Sequence, residues 1–416
     1  VSAGGTSACV QRTGFVALAA LLLSACIGGS NTPAGGTKFT TPTPNTVTLT
    51  VDGGPAAASG TINHAYVSVK VCVPGSTTQC ATIDHVLLDT GSSGLRLVGS
   101  VLTQANLALT AETDAQGQSI AECATFGGGQ TWGPVAAADV TMAGETASKL
   151  PVQIMNDTGS GAPPPASCGN SGTLLNGVAG FGANGLLGVG VAAEDCGSAC
   201  VSPATPLAIY FGCTSSGTCT AENAALSVQV ANPVAMFASD NNGIIVNLPN
   251  LKNANGDTTV QGELIFGIAT QSDNALPATG LTVLGANASG DFTATYNGGT
   301  TPLPALIDSG TDSYAFADPT IAVCASGAFV GYYCPAVAPQ SVFAINTGTN
   351  GTSNTVNFAI ADPNSFVAGA AAFINLGGGA GSTRFTWGMP FFYGRNVYIG
   401  IEQRTAGSYA GPFFAY

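Results

Sequence analysis

The sequence predicts an all-β protein of two lobes, and three observations lead there. Apolar residues at helical spacing are nearly absent along the 416 residues. In their place stand short alternating or apolar runs closed by Gly, Asn, Asp and Pro, the mark of many short strands. One pattern then occurs once in each half: Leu87-Leu88-Asp89-Thr90-Gly91-Ser92 and Leu306-Ile307-Asp308-Ser309-Gly310-Thr311. In both, an apolar run ends in Asp, a hydroxyl residue, Gly and a second hydroxyl residue. The length suits two domains, or one domain of two lobes, with a large core.

Composition removes several classes of function. There are 22 acidic and 9 basic residues, a formal net charge of -13, and 57 glycines, about twice the usual share of roughly 7 per cent. A hydrophobic fraction of 45% is incompatible with global disorder, which needs low hydrophobicity and high charge together. Nine scattered basic residues form no phosphate-tracking patch, so nucleic acid is excluded as a partner, and an anionic membrane surface is excluded for the same reason.

The first 26 residues read as an export signal rather than as fold. Arg12 precedes an uncharged apolar run from Phe15 to Leu23, followed by Ser24-Ala25-Cys26. A cysteine after Leu-Ser-Ala resembles the bacterial lipobox, in which the cysteine is acylated and becomes the first mature residue. Residue 27 is Ile rather than Asp, which by resemblance to Gram-negative lipoproteins favours the outer membrane. Residues 27–45 are rich in Gly, Ser, Thr, Asn and Pro and are expected to be a flexible tether. The uncharged stretch from Gly177 to Ala193 is too short and too rich in glycine to span a bilayer and is expected as buried loop and strand.

Beyond Cys9 and Cys26, the remaining ten of the twelve cysteines fall in sequence-close sets. Cys72/Cys80, Cys196/Cys200, Cys213/Cys219 and Cys324/Cys334 are expected as local disulfides, leaving Cys123/Cys168 as the longer link in an exported chain. With two histidines and no paired Cys-x-x-Cys motif, no metal is expected.

Strands are expected at Tyr66–Val73, Ile83–Leu88, Ala138–Met142 and Leu150–Met155 in the first half. Later in the chain they are expected at Gly243–Leu248, Glu263–Phe266, Phe292–Tyr296, Asn354–Ile360 and Val397–Ile401. A short helix is expected at Pro206–Phe211. The turn-rich segment Asn250–Asp257 joins the halves, giving lobes of 46–257 and 258–416.

A carboxylate placed just past a buried strand, with glycine two residues on, sits on a tight loop held by backbone amides, and the next hydroxyl can orient it. Two such loops brought together place two acids where both cannot ionise, so they share a proton. One can then act as general base on a water while the other protonates a carbonyl oxygen. Asp89 and Asp308 are therefore the candidate catalytic pair. Thr90 and Ser309 are expected to brace the loops, Gly91 and Gly310 to permit their geometry, and Ser92 and Thr311 to orient the acids.

With these two motifs the chain resembles the pepsin-like aspartic peptidases, and is most similar to uncharacterised bacterial pepsin-like lipoproteins grouped as a domain of unknown function. In that family an apolar-apolar-Gly segment crosses behind each aspartate loop. Leu186-Leu187-Gly188 fits that role in the first half and Thr386-Trp387-Gly388 in the second. The resemblance implies a bilobal acid-protease fold, two β-barrel-like lobes with an active-site cleft between them. It also implies hydrolysis of a peptide or protein substrate without cofactor, by a monomer. The Gly180 to Gly185 match to Gly-x-Gly-x-x-Gly lacks a surrounding β-α-β unit, so dinucleotide binding is rejected.

Three departures from the family pattern stand out. The family closes a flap tyrosine over its substrate, and Trp132 is expected at that position. The family's tryptophan after the first motif is replaced by Arg96, which is expected to meet Trp132 in a cation–π contact. Asp312 stands where a neutral residue is usual and is expected to pair with a basic group or face solvent. His64 and His85 are expected to be structural. A non-catalytic envelope lipoprotein that binds a peptide or other ligand in the cleft competes with the peptidase reading. A structural or adhesive surface lipoprotein is a third reading, and it would leave both motifs unexplained.

Overall fold

The computed structural model describes residues 45–159, 161–168 and 173–416. The candidate export signal, Cys26 and the tether up to residue 44 lie outside the described residues.

The first half contributes ten strands. The opening three are β1 (Thr46–Val51), β2 (Ala65–Cys72) and β3 (Cys80–Asp89). Next come β4 (Ser93–Val98), β5 (Ser119–Phe126), β6 (Gly129–Met142) and β7 (Glu145–Met155). Last are β8 (Gly185–Val189), β9 (Tyr210–Cys213) and β10 (Cys219–Ala221). They form because residues facing one side are apolar and buried, as in β2, where Val67, Val69 and Val71 point inward between exposed Ser68 and Lys70. Strands β2, β3, β8, β4, β7 and β6 pair in that order, and β6 returns to β2, so this lobe closes into a barrel.

The chain continues with β11 (Gly243–Leu248), β12 (Val260–Phe266), β13 (Val283–Gly285), β14 (Phe292–Tyr296) and β15 (Leu303–Ile307). After them come β16 (Tyr314–Ala315), β17 (Gln340–Thr347), β18 (Ser353–Ile360), β19 (Gly377–Gly378) and β20 (Phe385–Trp387). The chain ends with β21 (Arg395–Gly400), β22 (Thr405–Ala406), β23 (Tyr409–Ala410) and β24 (Phe413–Ala415). Strands β17, β14, β15, β20, β16 and β19 pair in that order. This repeats the barrel order β6, β2, β3, β8, β4, β7 of the first half. The parallel pairs also recur in equivalent places: β3 with β8 and β15 with β20, then β4 with β7 and β16 with β19. The two halves are built on one plan. Between them β1, β12, β11, β21, β24 and β13 form a shared platform.

The architecture is thus the expected all-β, two-lobed fold of the acid-protease type. Every expected strand is present, though those expected at Ile83, Ala138, Leu150 and Glu263 begin earlier, at Cys80, Gly129, Glu145 and Val260. The short helix at Pro206–Phe211 is not formed; residues 210–211 instead open β9, whose Phe211 pairs with Ala121 of β5. A run this short forms too few internal bonds to hold as a helix against the ladder that β5 offers. All five disulfides join the expected partners, as suits a chain folded in an oxidising compartment such as the periplasm or cell exterior. Among the described residues, no helix is long and apolar enough to cross a membrane.

The apolar core runs through both halves, from Leu49 to Phe414, and is aromatic in the second. There Tyr314, Phe316, Phe358, Phe385 and Trp387 pack mostly edge to face or tilted, with Phe316 and Phe385 stacked. Asn63 joins the halves. Buried, with φ +52, it donates to the Asp312 and Phe373 carbonyls and accepts from the Phe373 amide and the Tyr393 hydroxyl.

Candidate active site

Strands β3 and β15 each end in an aspartate loop, and each is backed by the crossing strand the sequence marked. Leu186, Leu187 and Gly188 of β8 pair with Leu87, Leu88 and Asp89, while Thr386 and Trp387 of β20 pair with Leu306 and Ile307. The Asp308 amide donates to the Trp387 carbonyl at 2.9 Å.

The two loops hold their acids in matching ways. Asp89 accepts from the Gly91 amide at 2.8 Å and the Ser92 hydroxyl at 2.5 Å. Asp308 accepts from the Gly310 amide at 2.8 Å and the Thr311 hydroxyl at 2.6 Å. The braces cross from loop to loop. The Thr90 hydroxyl donates to the Ile307 carbonyl at 2.9 Å and accepts from the Ser309 amide at 3.0 Å. The Ser309 hydroxyl donates to the Leu88 carbonyl at 2.7 Å and accepts from the Thr90 amide at 3.2 Å. Both side chains are buried, so these bonds replace water with no alternative partner nearby. Thr90→Val should therefore destabilise the protein by about 2–6 kcal/mol, since two buried groups lose a partner at about 1–3 kcal/mol each. A thermal melt showing no loss would overturn that assignment.

The glycines are required by close approach. A Cβ at Gly91 would lie 2.6 Å from the Asp308 carboxyl carbon, and one at Gly310 would lie 2.9 Å from an Asp89 oxygen. Each aspartate thus occupies the space a side chain on the opposite loop would need, which places the two acids side by side. Asp89 is pushed up to about 8, first by burial and then by the charge and hydrogen bond of Asp308, against the bonds from Ser92 and Gly91. The pair therefore keeps a proton at neutral and acid pH.

A cleft cavity of about 370 Å³ opens beside the Asp89 loop, lined among others by Ser92, Arg96, Phe126, Asp195, Ile209 and Leu306. The expected Arg96–Trp132 contact is not made. Strand β5 pairs with β6 so that Cys123 faces Trp132 and Phe126 faces Gly129. Side chains alternate along a strand, so Cys123 and Trp132 share one face of this β5–β6 hairpin while Glu122, Ala124 and Phe126 share the other. Trp132 is 1% exposed and packs edge-on against Phe211, beside the Cys123–Cys168 bridge.

Phe126, at the mouth of the Gly127-Gly128 turn, is the aromatic that meets Arg96, whose guanidinium carbon lies 5.5 Å from its ring centroid. The swap therefore takes place one face over from where the sequence reading put it. An aromatic directly before three consecutive glycines was the available signal, and alternation from the bridged Cys123 places it on the cleft side.

Arg96 itself is buried. It bonds Glu122, the Asp195 carboxylate at 3.1 Å and the Ser93 carbonyl at 2.9 Å. Tyr210 donates to Asp195 at 2.6 Å. Burial first, and the Asp195 charge next among the raising causes, push Glu122 well above the usual carboxylate range against the pull of Arg96. The Arg96 guanidinium thus lies between two carboxyl groups, and pairing within the cluster limits the penalty of burying charge.

Asp312 neither pairs with Lys or Arg nor points freely to solvent. It accepts from the Tyr332 hydroxyl, and its charge acts on His64, which burial lowers and Asp312 raises. His64 contacts the Tyr66 hydroxyl at 3.1 Å, and His85 lies beside Asp84 and Asp52, away from the dyad. Among the described residues, no group of three or more His, Cys, Asp or Glu side chains could hold a metal.

The family described as "Protein of unknown function (DUF3443)" matches residues 41–416, and the chain belongs to it. No curated protein matches the chain. The crystal structure of aspartic proteinase from Irpex lacteus is similar over 89% of this chain and 96% of that one, at 16% sequence identity and a TM-score of 0.46. The architecture described above rests on the strand pairing and the repeated loops of this chain itself.

Proposed function

We propose that this DUF3443 protein is an aspartic endopeptidase. One observation carries the reading: the two aspartates are held by the same set of bonds, side by side, on loops at the edge of a cleft. A ligand-binding module has no need of two matched acids with reciprocal braces. The reaction follows from the pair. A water between the carboxyls gives its proton to the ionised one as its oxygen attacks the peptide carbonyl, and the protonated one donates to the carbonyl oxygen. The tetrahedral intermediate then collapses as a proton passes to the leaving nitrogen. Phe126 at the flap tip would cover the bound chain and exclude bulk water.

The test is cleavage of an unfolded protein between pH 3 and pH 7, with and without a statine-containing peptide that mimics the tetrahedral state. Cleavage blocked by the mimic is expected. Binding of the mimic without cleavage would favour the non-catalytic envelope protein instead. Neither cleavage nor binding would remove both readings.

We further propose that the chain is exported and lipid-anchored through Cys26, with the outer membrane as destination. Ser24-Ala25-Cys26 after an apolar run supports this, and the five disulfides support export. Cys26→Ser should abolish incorporation of a radiolabelled fatty acid and move the protein from the detergent phase to the aqueous phase. Label retained in that variant would overturn the anchor.

A further inference from the structure

The β5–β6 hairpin is bonded along the edge of β6 opposite β5 and through the side chains on the face away from Phe126. The Gln130 amide donates to the Thr173 carbonyl at 2.9 Å, and the Leu175 amide donates to the Gln130 carbonyl at 2.6 Å. The Trp132 amide donates to the Asn176 side chain at 2.8 Å, and the Asn156 amide donates to the Trp132 carbonyl at 2.9 Å. Asn176 closes the set by donating to the Asn156 carbonyl at 2.9 Å. The Trp132 indole nitrogen donates to the Ala162 carbonyl at 2.8 Å, and Cys123 of β5 is covalently joined to the buried Cys168.

Close approach of this strap depends on Gly129, where a Cβ would lie 2.1 Å from the Thr173 carbonyl oxygen. Strand β5 is further paired with β9 from Ser119 to Glu122. Thr125, Gly127 and Gly128, by contrast, are exposed. The hairpin is thus fixed at its base and along the β6 edge, while the Gly127-Gly128 turn is solvated.

We propose that Trp132 and the Cys123–Cys168 bridge are positioning residues that pin the flap, so that the Phe126 tip meets the dyad from a fixed base. This rests on the peptidase reading for its effect on catalysis, but the pinning itself does not. Because side chains alternate, holding Trp132 and Cys123 from behind sets the height and orientation of Phe126, Ala124 and Glu122 on the cleft face. Loss of the pin frees a hairpin that must then be ordered each time a chain binds, which weakens binding more than it slows the chemistry.

The test uses the full chain and three changes: Trp132→Ala, Gly129→Val, and Cys123→Ala with Cys168→Ala. Amide exchange at 124–132 is expected to quicken by about tenfold or more in each, with exchange across β15 unchanged. Affinity for a statine-containing peptide should fall by about tenfold, and KM should rise by a similar factor with kcat within about threefold. Trp132→Phe, which keeps the ring packing, should recover most of the affinity.

Exchange and affinity within about threefold of wild type in folded Gly129→Val and in the cysteine double variant would overturn the proposal. So would an exchange increase spread equally over β15. A wild-type protein that cleaves nothing would remove the peptidase reading alone, since the exchange measurement would still decide whether the flap is pinned.

Discussion

Asp89→Asn is expected to reduce cleavage of an unfolded protein by at least about 10³-fold, toward the upper end of what positioned proton transfer contributes. The substitution keeps the shape that Gly91 and Ser92 hold, so the loop remains and the loss reports on the proton. An amide can neither take a proton from water nor give one to a carbonyl oxygen. Asp308→Asn should lose as much, because the pair works as a unit and removing either member removes the step. Initial rates at several pH values between 3 and 7, beside thermal melts confirming folded variants, are the measurement. Cleavage by Asp89→Asn within about tenfold of wild type would sink the mechanism.

The second large expectation concerns stability. Asp89 is raised to about 8, mainly by burial and then by Asp308, and Glu222 is raised to about 7, by burial and then by Asp114. Glu122, Glu194 and Asp291 are also raised, burial being the first cause in each. A carboxyl held above its unfolded value near 4 binds more protons in the folded state, so its contribution is fully present below about pH 4 and is lost as pH rises through the folded value.

Two groups oppose this. Burial raises Asp318, but hydrogen bonds from Thr320 and Tyr296 outweigh it and leave it lowered, and burial lowers His64. Both contribute stability that is lost on acidification. The raised groups are more numerous and include the deeply buried Asp89 and Glu122, so net stability should fall between about pH 5 and pH 8.

Each pH unit over which a proton is held is worth about 1.4 kcal/mol, so Asp89 alone contributes a few kcal/mol across that window. Melts across the range should give a higher Tm at pH 5 than at pH 8, and Asp89→Asn should flatten the slope. A wild-type Tm that is level or rising over this range would contradict the assignment. With 9 basic residues, the protein also gains little positive charge on acidification, so self-repulsion does not offset the effect.

Much of the site was legible in the sequence because it is local. An aspartate loop is specified by four consecutive residues and the apolar strand before them, and here it is written twice. Local disulfides were legible for a similar reason, since partners a few residues apart have few competitors. The flap was misread because Trp132 and Phe126 are both aromatic residues on one hairpin, and propensity does not say which face each occupies. That follows from the register of β5 on β6, and a shift of one residue exchanges the faces. The expected helix at 206–211 failed through the same kind of tertiary competition, with β5 supplying the partner.

The sequence by itself determined an all-β chain, the paired aspartates with their hydroxyls and glycines, and the cysteine partners, because each is set by residues close together in the chain. Only the tertiary structure decided that Thr90 and Ser309 exchange bonds across the lobes, that Arg96 faces Phe126, and that the flap is held from behind at Trp132. Those contacts join segments tens to hundreds of residues apart. No local pattern encodes them, because they exist only once barrel closure and strand register have brought the segments together.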